Sequence, residues 1–236
     1  MTVMRRVIVA LMLTVIVCCD VWSKTYVVSV GINTYPQGNS LRACVNDATS
    51  ISKIFQNNGN AEINLILNNN ATRATILRYL RQMFLKAGKS DAILLYFSGH
   101  GAPGGFICYD GMLDYKSILA VMRQSSASKK MIIADVCFAG TARIPGHRQG
   151  SHSSDNVMFF LSSRSNEIST ELNDNGRFTY FLKSGLLGDA DANRDRRVTA
   201  IELYTFVHNR VSQSSRNKQH PVMWGRFNNN MTIIQW

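Results

Sequence analysis

Two short stretches combine residue types and spacing that can do covalent chemistry. Ser98-Gly99-His100-Gly101 follows the apolar run 92–97, and Asp135-Val136-Cys137-Phe138-Ala139-Gly140 follows the apolar run 131–134. A histidine and a cysteine ending two buried parallel strands would stand at one edge of a single sheet, where open α/β folds place their ligands. Cysteine attacks as thiolate, which a neighbouring imidazole generates by taking the proton. His100, between two glycines, suits a tight turn with an exposed ring. Past Cys137 the small residues Ala139 and Gly140 leave backbone N–H groups free. Those of Cys137 and Gly101 would face an oxyanion developing on an attacked carbonyl. Taken singly, a strand-end histidine or a buried cysteine is most often structural. The matched strand ends point instead to a nucleophile and its base.

Periodicity and punctuation give the elements that must position this pair. The β-branched stretch 24–33 predicts a first strand. Leu41, Val45, Ala48, Ile51, Ile54 and Phe55 recur at helical spacing and predict a helix over 41–58. A short strand over 64–67 and a helix over 72–87, capped by Thr72, come next. After the strand that delivers His100, a glycine-rich hairpin over 102–109 precedes a helix over 115–125 and the strand that delivers Cys137. A strand over 157–162, helices over 178–187 and 200–212, and an edge strand over 231–236 complete the chain. Alternating strands and helices with continuously apolar strands predict a mostly parallel sheet covered on both faces. The polar segment 141–156 is read as a long loop, of the kind that is functional or unstructured.

The chain of 236 residues is enough for one sizeable core. Arg5 and Arg6, the apolar stretch 7–17 and the Val21-x-Ser23 step before Lys24 predict a signal peptide over 1–23. That apolar stretch is shorter than the roughly 20 residues of a membrane span. Export to a secreted or periplasmic location is therefore expected, with one domain over 24–236 and a retained anchor as the alternative. Losing two arginines and Asp20 with the signal leaves 24 basic against 14 acidic side chains. They are scattered rather than clustered, which fits a basic exported protein and not a nucleic-acid binder. Of five cysteines, Cys44, Cys108 and Cys137 lie beyond the signal, an odd and sparse set for a disulfide framework. There is no CxxC or HExxH pattern for zinc.

FSGHG and DVCFAG, each after an apolar strand, resemble the caspase-like clan of cysteine peptidases, which includes caspases, metacaspases, legumain and clostripain-type enzymes. YVVSVGINTY and LRACVNDA are similar to the opening strand and first helix of metacaspases and their bacterial relatives. SSRSNEISTE and GRFTYFLKSGLLG resemble the family's C-terminal part. The resemblance implies a caspase-like three-layer α/β/α sandwich with a mostly parallel central sheet, and a catalytic dyad of His100 and Cys137. Asp135, two residues before Cys137, lies on the same side of its strand. Asp47 matches a metacaspase position whose carboxylate enters the specificity pocket, and Ser98 falls on another pocket position. Two carboxylates pair with a substrate arginine or lysine and repel acidic side chains. The expected substrates are proteins or peptides cut after Arg or Lys, opposite in charge to those of true caspases. Metacaspases commonly have His-Ser after the cysteine where this chain has Phe138-Ala139, which moves the match towards broader caspase-like proteins. Caspase-like zymogens are often cut after the cysteine-bearing portion, so Arg143 and Arg148 in the 141–156 loop are candidate self-processing sites.

Asp191, Asn193, Asp195, Thr199 and Glu202 stand at the oxygen-ligand spacing of an EF-hand loop. Arg196 occupies its glycine position, and Arg194 and Arg197 oppose a cation, so a vestigial turn is the favoured reading. Metacaspases often take calcium through an acidic cluster near the active site; Asp110 and Asp114 are candidates for such a cluster, without an assigned role. The chemistry itself requires no cofactor, and calcium is the one the resemblance adds. The expected protein is an exported caspase-like cysteine endopeptidase. A catalytically silent binding or regulatory module is the alternative, and the presence of both dyad residues speaks against it.

Overall fold

The apolar runs become the middle strands of one sheet. The computed structural model describes residues 23–136 and 156–236. In chain order the first elements are β1 (Thr25–Gly31), α1 (Cys44–Asn57), β2 (Ala61–Leu67), α2 (Arg73–Phe84), β3 (Ala92–Ala102), β4 (Gly105–Cys108), β5 (Gly111–Asp114), α3 (Tyr115–Gln124) and β6 (Lys129–Val136). Then come β7 (Val157–Leu161), β8 (Glu171–Leu172), β9 (Asn175–Gly176), α4 (Arg177–Ser184), β10 (Arg197–Thr199), α5 (Ala200–Ser214), β11 (Val222–Gly225) and β12 (Thr232–Gln235).

The main sheet runs β2-β1-β3-β6-β7-β11, parallel except for β11, with the β4–β5 hairpin continuing from β3. Helices α2 and α3 cover one face through Ile76, Leu80, Ile118 and Val121. On the other face α1, α4 and α5 pack Ile51, Phe55, Phe178, Leu182, Leu203 and Val207. Both faces being covered, the strands must be apolar on both sides, which is why they read as unbroken runs. The fold is thus the expected three-layer sandwich. From β1 the chain crosses to β2 on one side, and from β3 to β6 on the other. The connections diverge between the C-terminal ends of β1 and β3, the switch point where parallel sheets open a crevice. Gly31, Ser98 and Asp135 lie side by side in the register there.

Thr72 caps α2 as expected, its hydroxyl accepting from Thr75 N–H at 3.2 Å. Three expectations need correction. The 231–236 stretch is not an edge strand of the main sheet: β12 pairs antiparallel with β10 in a separate ribbon. The true edge is β11, whose four residues follow Pro221 and are too few to show a period; Trp224 there stacks on Phe159 with centroids 4.0 Å apart. His100 sits within the extended β3 rather than in a tight turn, which falls instead at Pro103-Gly104, with Gly104 at φ +91°. The helix expected over 178–187 ends at Ser184 and gives way to a wider π turn over Gly185–Asp189. No helix among the described residues is long and apolar enough to cross a membrane. The signal segment and the 141–156 loop, apart from Ser23 and Asn156, lie outside the described residues.

Candidate active site

The floor of the crevice is built by close packing of α1 on the sheet. A Cβ on Gly31 would lie 2.3 Å from the Cys44 carbonyl oxygen and 2.8 Å from Ala48 Cβ, so only glycine admits the helix here. That approach seats Asp47, in the first turn of α1, over Ser98, whose hydroxyl donates to Asp47 Oδ2 at 2.9 Å. Asp47 Oδ1 accepts from Asn175 Nδ2 at 2.7 Å and from Gly176 N–H at 3.1 Å. Asp135, beside Ser98 in the register, accepts from the Ser169 hydroxyl at 2.5 Å, and from Thr179 N–H and Oγ1 at 3.1 and 2.8 Å. Gly176 lies between the two carboxylates. A Cβ on it would stand 2.1 Å from Asp135 Oδ2 and 3.1 Å from Asp47 Oδ2.

Asp47 and Asp135 are 1% and 5% exposed, two carboxyl groups buried side by side. Burial, and then the neighbouring Asp135 charge, push Asp47 up to about 7. Burial also raises Asp135, while hydrogen bonds from Ser169 and Thr179 pull it back. The two titrate as a pair. An arriving cation would restore the charged forms that burial disfavours. Stability carries the same signature. Between an unfolded carboxylate value of about 4 and about 7 for Asp47, the folded chain holds more protons than the unfolded one. Stability is therefore lost as pH rises through this window. The urea midpoint is expected to be higher at pH 5 than at pH 8, and Asp47→Asn to flatten that slope. A wild-type midpoint rising steadily from pH 5 to 8 would contradict the paired-carboxylate account.

His100 stands at the rim, held by the loop that follows β1. Asn33 staples the base of this loop: its side chain accepts from Val45 N–H and donates to the Arg42 carbonyl, and its own carbonyl accepts from Leu41 N–H. The loop turns through Gly38 and Asn39, both at positive φ, and brings the Asn39 carbonyl 2.6 Å from His100 Nε2. A carbonyl only accepts, so Nε2 carries a hydrogen, and in the neutral ring Nδ1 is the nitrogen with the lone pair. The Tyr35 hydroxyl accepts from His100 N–H at 2.9 Å and donates to the Ile107 carbonyl at 3.3 Å, with its ring 4.8 Å from the imidazole. Backbone and ring of His100 are thereby fixed from the same loop.

The crevice brings together His100, Ser98, Asp47, Asp135 and Val136, closed on the far side by Ser169, Thr170, Glu171 and Gly176. Gly101 pairs with Phe106 across the hairpin. Cys137, Arg143 and Arg148 lie outside the described residues. Val136, just before Cys137, is bracketed by Ser162, whose hydroxyl accepts its N–H at 3.0 Å and donates to its carbonyl at 2.8 Å. Cys44 and Cys108 are free but buried, and burial pushes both thiols up, Cys108 to about 12. Neither supplies a thiolate at neutral pH. Residue types did not reveal Asn39, which acts through its backbone carbonyl, nor Tyr35, Asn175, Gly176, Ser169 and Thr179. Only the Asn173-Asp-Asn-Gly176 turn composition marks the place where Asn175 and Gly176 reach Asp47.

The candidate calcium ligands turn to their own surroundings. Asp191 accepts from the backbone N–H groups of Asp195 and Arg196, Asn193 from Asp195, and Asp195 from Arg197 while pairing with its guanidinium. Glu202 completes a capping box with Thr199 at the start of α5. Asp110 pairs with Arg73, and Asp114 caps α3 through Ser117. Among the described residues no group of three His, Cys, Asp or Glu side chains could hold a metal ion.

The caspase domain model matches residues 24–231 of the chain. Metacaspase-1B of Aspergillus oryzae is 33% identical over 81 residues, 30% of this chain and 19% of that protein. Metacaspase-1A of Aspergillus clavatus is 31% identical over 87 residues, 33% of this chain and 20% of that protein. The matched part of the chain thus spans about a fifth of the length of these curated relatives. Among solved structures, a protein of Geobacter sulfurreducens aligns with a TM-score of 0.67 at 17% identity, covering 87% of this chain and 94% of that one. Caspase-1 of Spodoptera frugiperda aligns with a TM-score of 0.67 at 15% identity, covering 90% of each. At these identities the structural likeness concerns the fold.

Proposed function

This chain belongs to the caspase domain family, and from that premise we propose that it is a cysteine endopeptidase cutting after arginine or lysine. Cys137 is the nucleophile and His100 the base. His100 Nδ1, left with its lone pair by the Nε2–H bond to Asn39, takes the thiol proton as sulfur attacks the scissile carbonyl. The C–N bond then breaks, and the same nitrogen gives that proton to the leaving amine. Water, deprotonated by Nδ1, attacks the thioester and releases the acid and the thiol. The backbone N–H groups of Gly101 and Cys137 stabilise the oxyanion in both halves. Asp47 and Asp135, with Ser98 between them, receive the substrate cation. The observation that carries this reading is one crevice in which an imidazole of fixed tautomer stands beside two buried carboxylates.

Export with a cut before Lys24 belongs to the same proposal. It is supported by the Lys24 backbone nitrogen, 2.9 Å from Asp91 Oδ1, where a freed α-amine would gain an ion pair. So does self-processing after Arg143 or Arg148. A peptidyl-arginine chloromethyl ketone tests the chemistry: sulfur displaces chloride and forms a thioether. Peptide mapping is expected to find the adduct on Cys137 and none on Cys44 or Cys108, with the aspartyl analogue reacting far more slowly. An adduct elsewhere, or none, would contradict the assignment. On the same gel the wild-type chain should appear cut and the Cys137→Ala chain whole; fragments of the latter would refute self-cleavage.

A further inference from the structure

The segment after α5 returns to the crevice through a side chain that neither the dyad nor the carboxylate pair employs. Gln219, between Lys218 and His220, has the surroundings of a solvent-facing loop residue in the sequence, yet it is 0% exposed. Its Oε1 accepts from Thr170 N–H at 3.1 Å and from Thr170 Oγ1 at 3.0 Å. Its Nε2 donates to the Ser162 carbonyl at 3.0 Å and to Ser169 Oγ at 3.1 Å. Backbone N–H only donates and carbonyl only accepts, so the amide cannot be turned over without losing bonds at both ends.

This orientation has a consequence one residue away. Because Ser169 Oγ accepts from Gln219, its own hydrogen is directed elsewhere, and it goes to Asp135 Oδ1 at 2.5 Å. A hydroxyl that donates to a carboxylate favours the charged form. The same amide holds Ser162, which brackets Val136 immediately before Cys137. One buried side chain thus reaches the specificity carboxylate and the end of the nucleophile strand.

We propose that Gln219 is a positioning residue for cation selectivity: by orienting the Ser169 hydroxyl, it keeps Asp135 a charged acceptor for the substrate's basic side chain. The proposal rests on reading Asp135 as the cation-binding carboxylate. A purely structural glutamine would, when replaced, depress turnover of every substrate alike. A positioning glutamine acts on charge discrimination.

The test compares arginine- and citrulline-ending reporters, which share shape but not charge. Gln219→Leu is expected to lower the arginine-to-citrulline ratio of kcat/KM roughly tenfold, mainly through KM, as befits loss of a bond directed at a charged group. Ser169→Ala leaves the other Gln219 bonds in place, should give a similar loss, and carries the test alone if Gln219→Leu does not fold. The double variant is expected to lose no more than either single one. An unchanged ratio, or losses that multiply, would overturn the proposal. A second readout is independent of catalysis. In Cys137→Ala protein, carbon-13 NMR titration of the Asp135 carboxyl, followed together with Asp47, should move upward by roughly one pH unit on Gln219→Leu or Ser169→Ala; no movement would overturn it. If wild type does not prefer arginine over citrulline, the pocket reading fails, and the titration still decides whether Gln219 acts on Asp135.

Discussion

Replacing His100 by alanine is expected to lower kcat on an arginine-ending reporter about a thousandfold, within the range a positioned general acid–base supplies, and to leave the melting temperature close to wild type. The ring sits at the rim of the crevice, bonded to the Asn39 carbonyl and packed on Tyr35, so its removal opens no core cavity. What disappears is the one imidazole that lines the crevice among the described residues, the group proposed to take the thiol proton and pass it to the leaving amine. His100→Gln separates position from proton transfer. Its amide N–H replaces the donor to Asn39, but no nitrogen in it accepts a proton at neutral pH. The two variants should be equally slow. Stopped or continuous assays retaining more than about a tenth of wild-type kcat in either variant would remove His100 from the role of base.

The second large effect concerns charge. Asp135→Asn is expected to lower kcat/KM for the arginine reporter about a hundredfold, the scale of a desolvated charge-assisted pair, chiefly by raising KM. The citrulline reporter should change little. The physical reason lies in the bonds around the carboxylate. Thr179 N–H and Oγ1 hold one oxygen and the Ser169 hydroxyl the other, so the carboxylate is aimed by three donors and buried with Asp47. An asparagine can keep its carbonyl on Thr179, but its amide then faces Ser169 and carries no charge. Binding to the arginine reporter should also weaken as pH falls below about 7 in the wild type, because Asp47, raised to about 7, takes up a proton there. Equal losses on both reporters would mean that Asp135 serves the fold rather than selectivity.

Much of this arrangement is legible in residue order, and the exceptions share a cause. Apolar runs ending in Ser98-Gly99-His100 and Asp135-Val136 gave the strand ends, because strands buried on both faces have no room for polar residues before their tips. Asp47 became visible only through its match to a metacaspase position, since periodicity alone puts a carboxylate on a helix flank. Its burial under the Gly31 close approach is a tertiary fact. Asn39 was invisible because its contribution is a backbone carbonyl, which any residue carries. Gln219 and Ser169 lie about 50 residues apart, and no local pattern joins them. The errors at the chain's end have a similar origin. The stretch from Thr232 to Gln235 and the four residues of β11 are equally strand-like, and which of them borders the sheet depends on packing, with Trp224 settling onto Phe159.

The central claim is that a Cys137 peptidase selects its substrate by positive charge. The most direct test is the ratio of kcat/KM for arginine- and aspartate-ending reporters, measured with purified chain beginning at Lys24, with and without calcium, beside Cys137→Ala. The account predicts a ratio above about a hundred for the wild type and no turnover of either reporter by the variant. A ratio below one, or cleavage that survives Cys137→Ala, would contradict it.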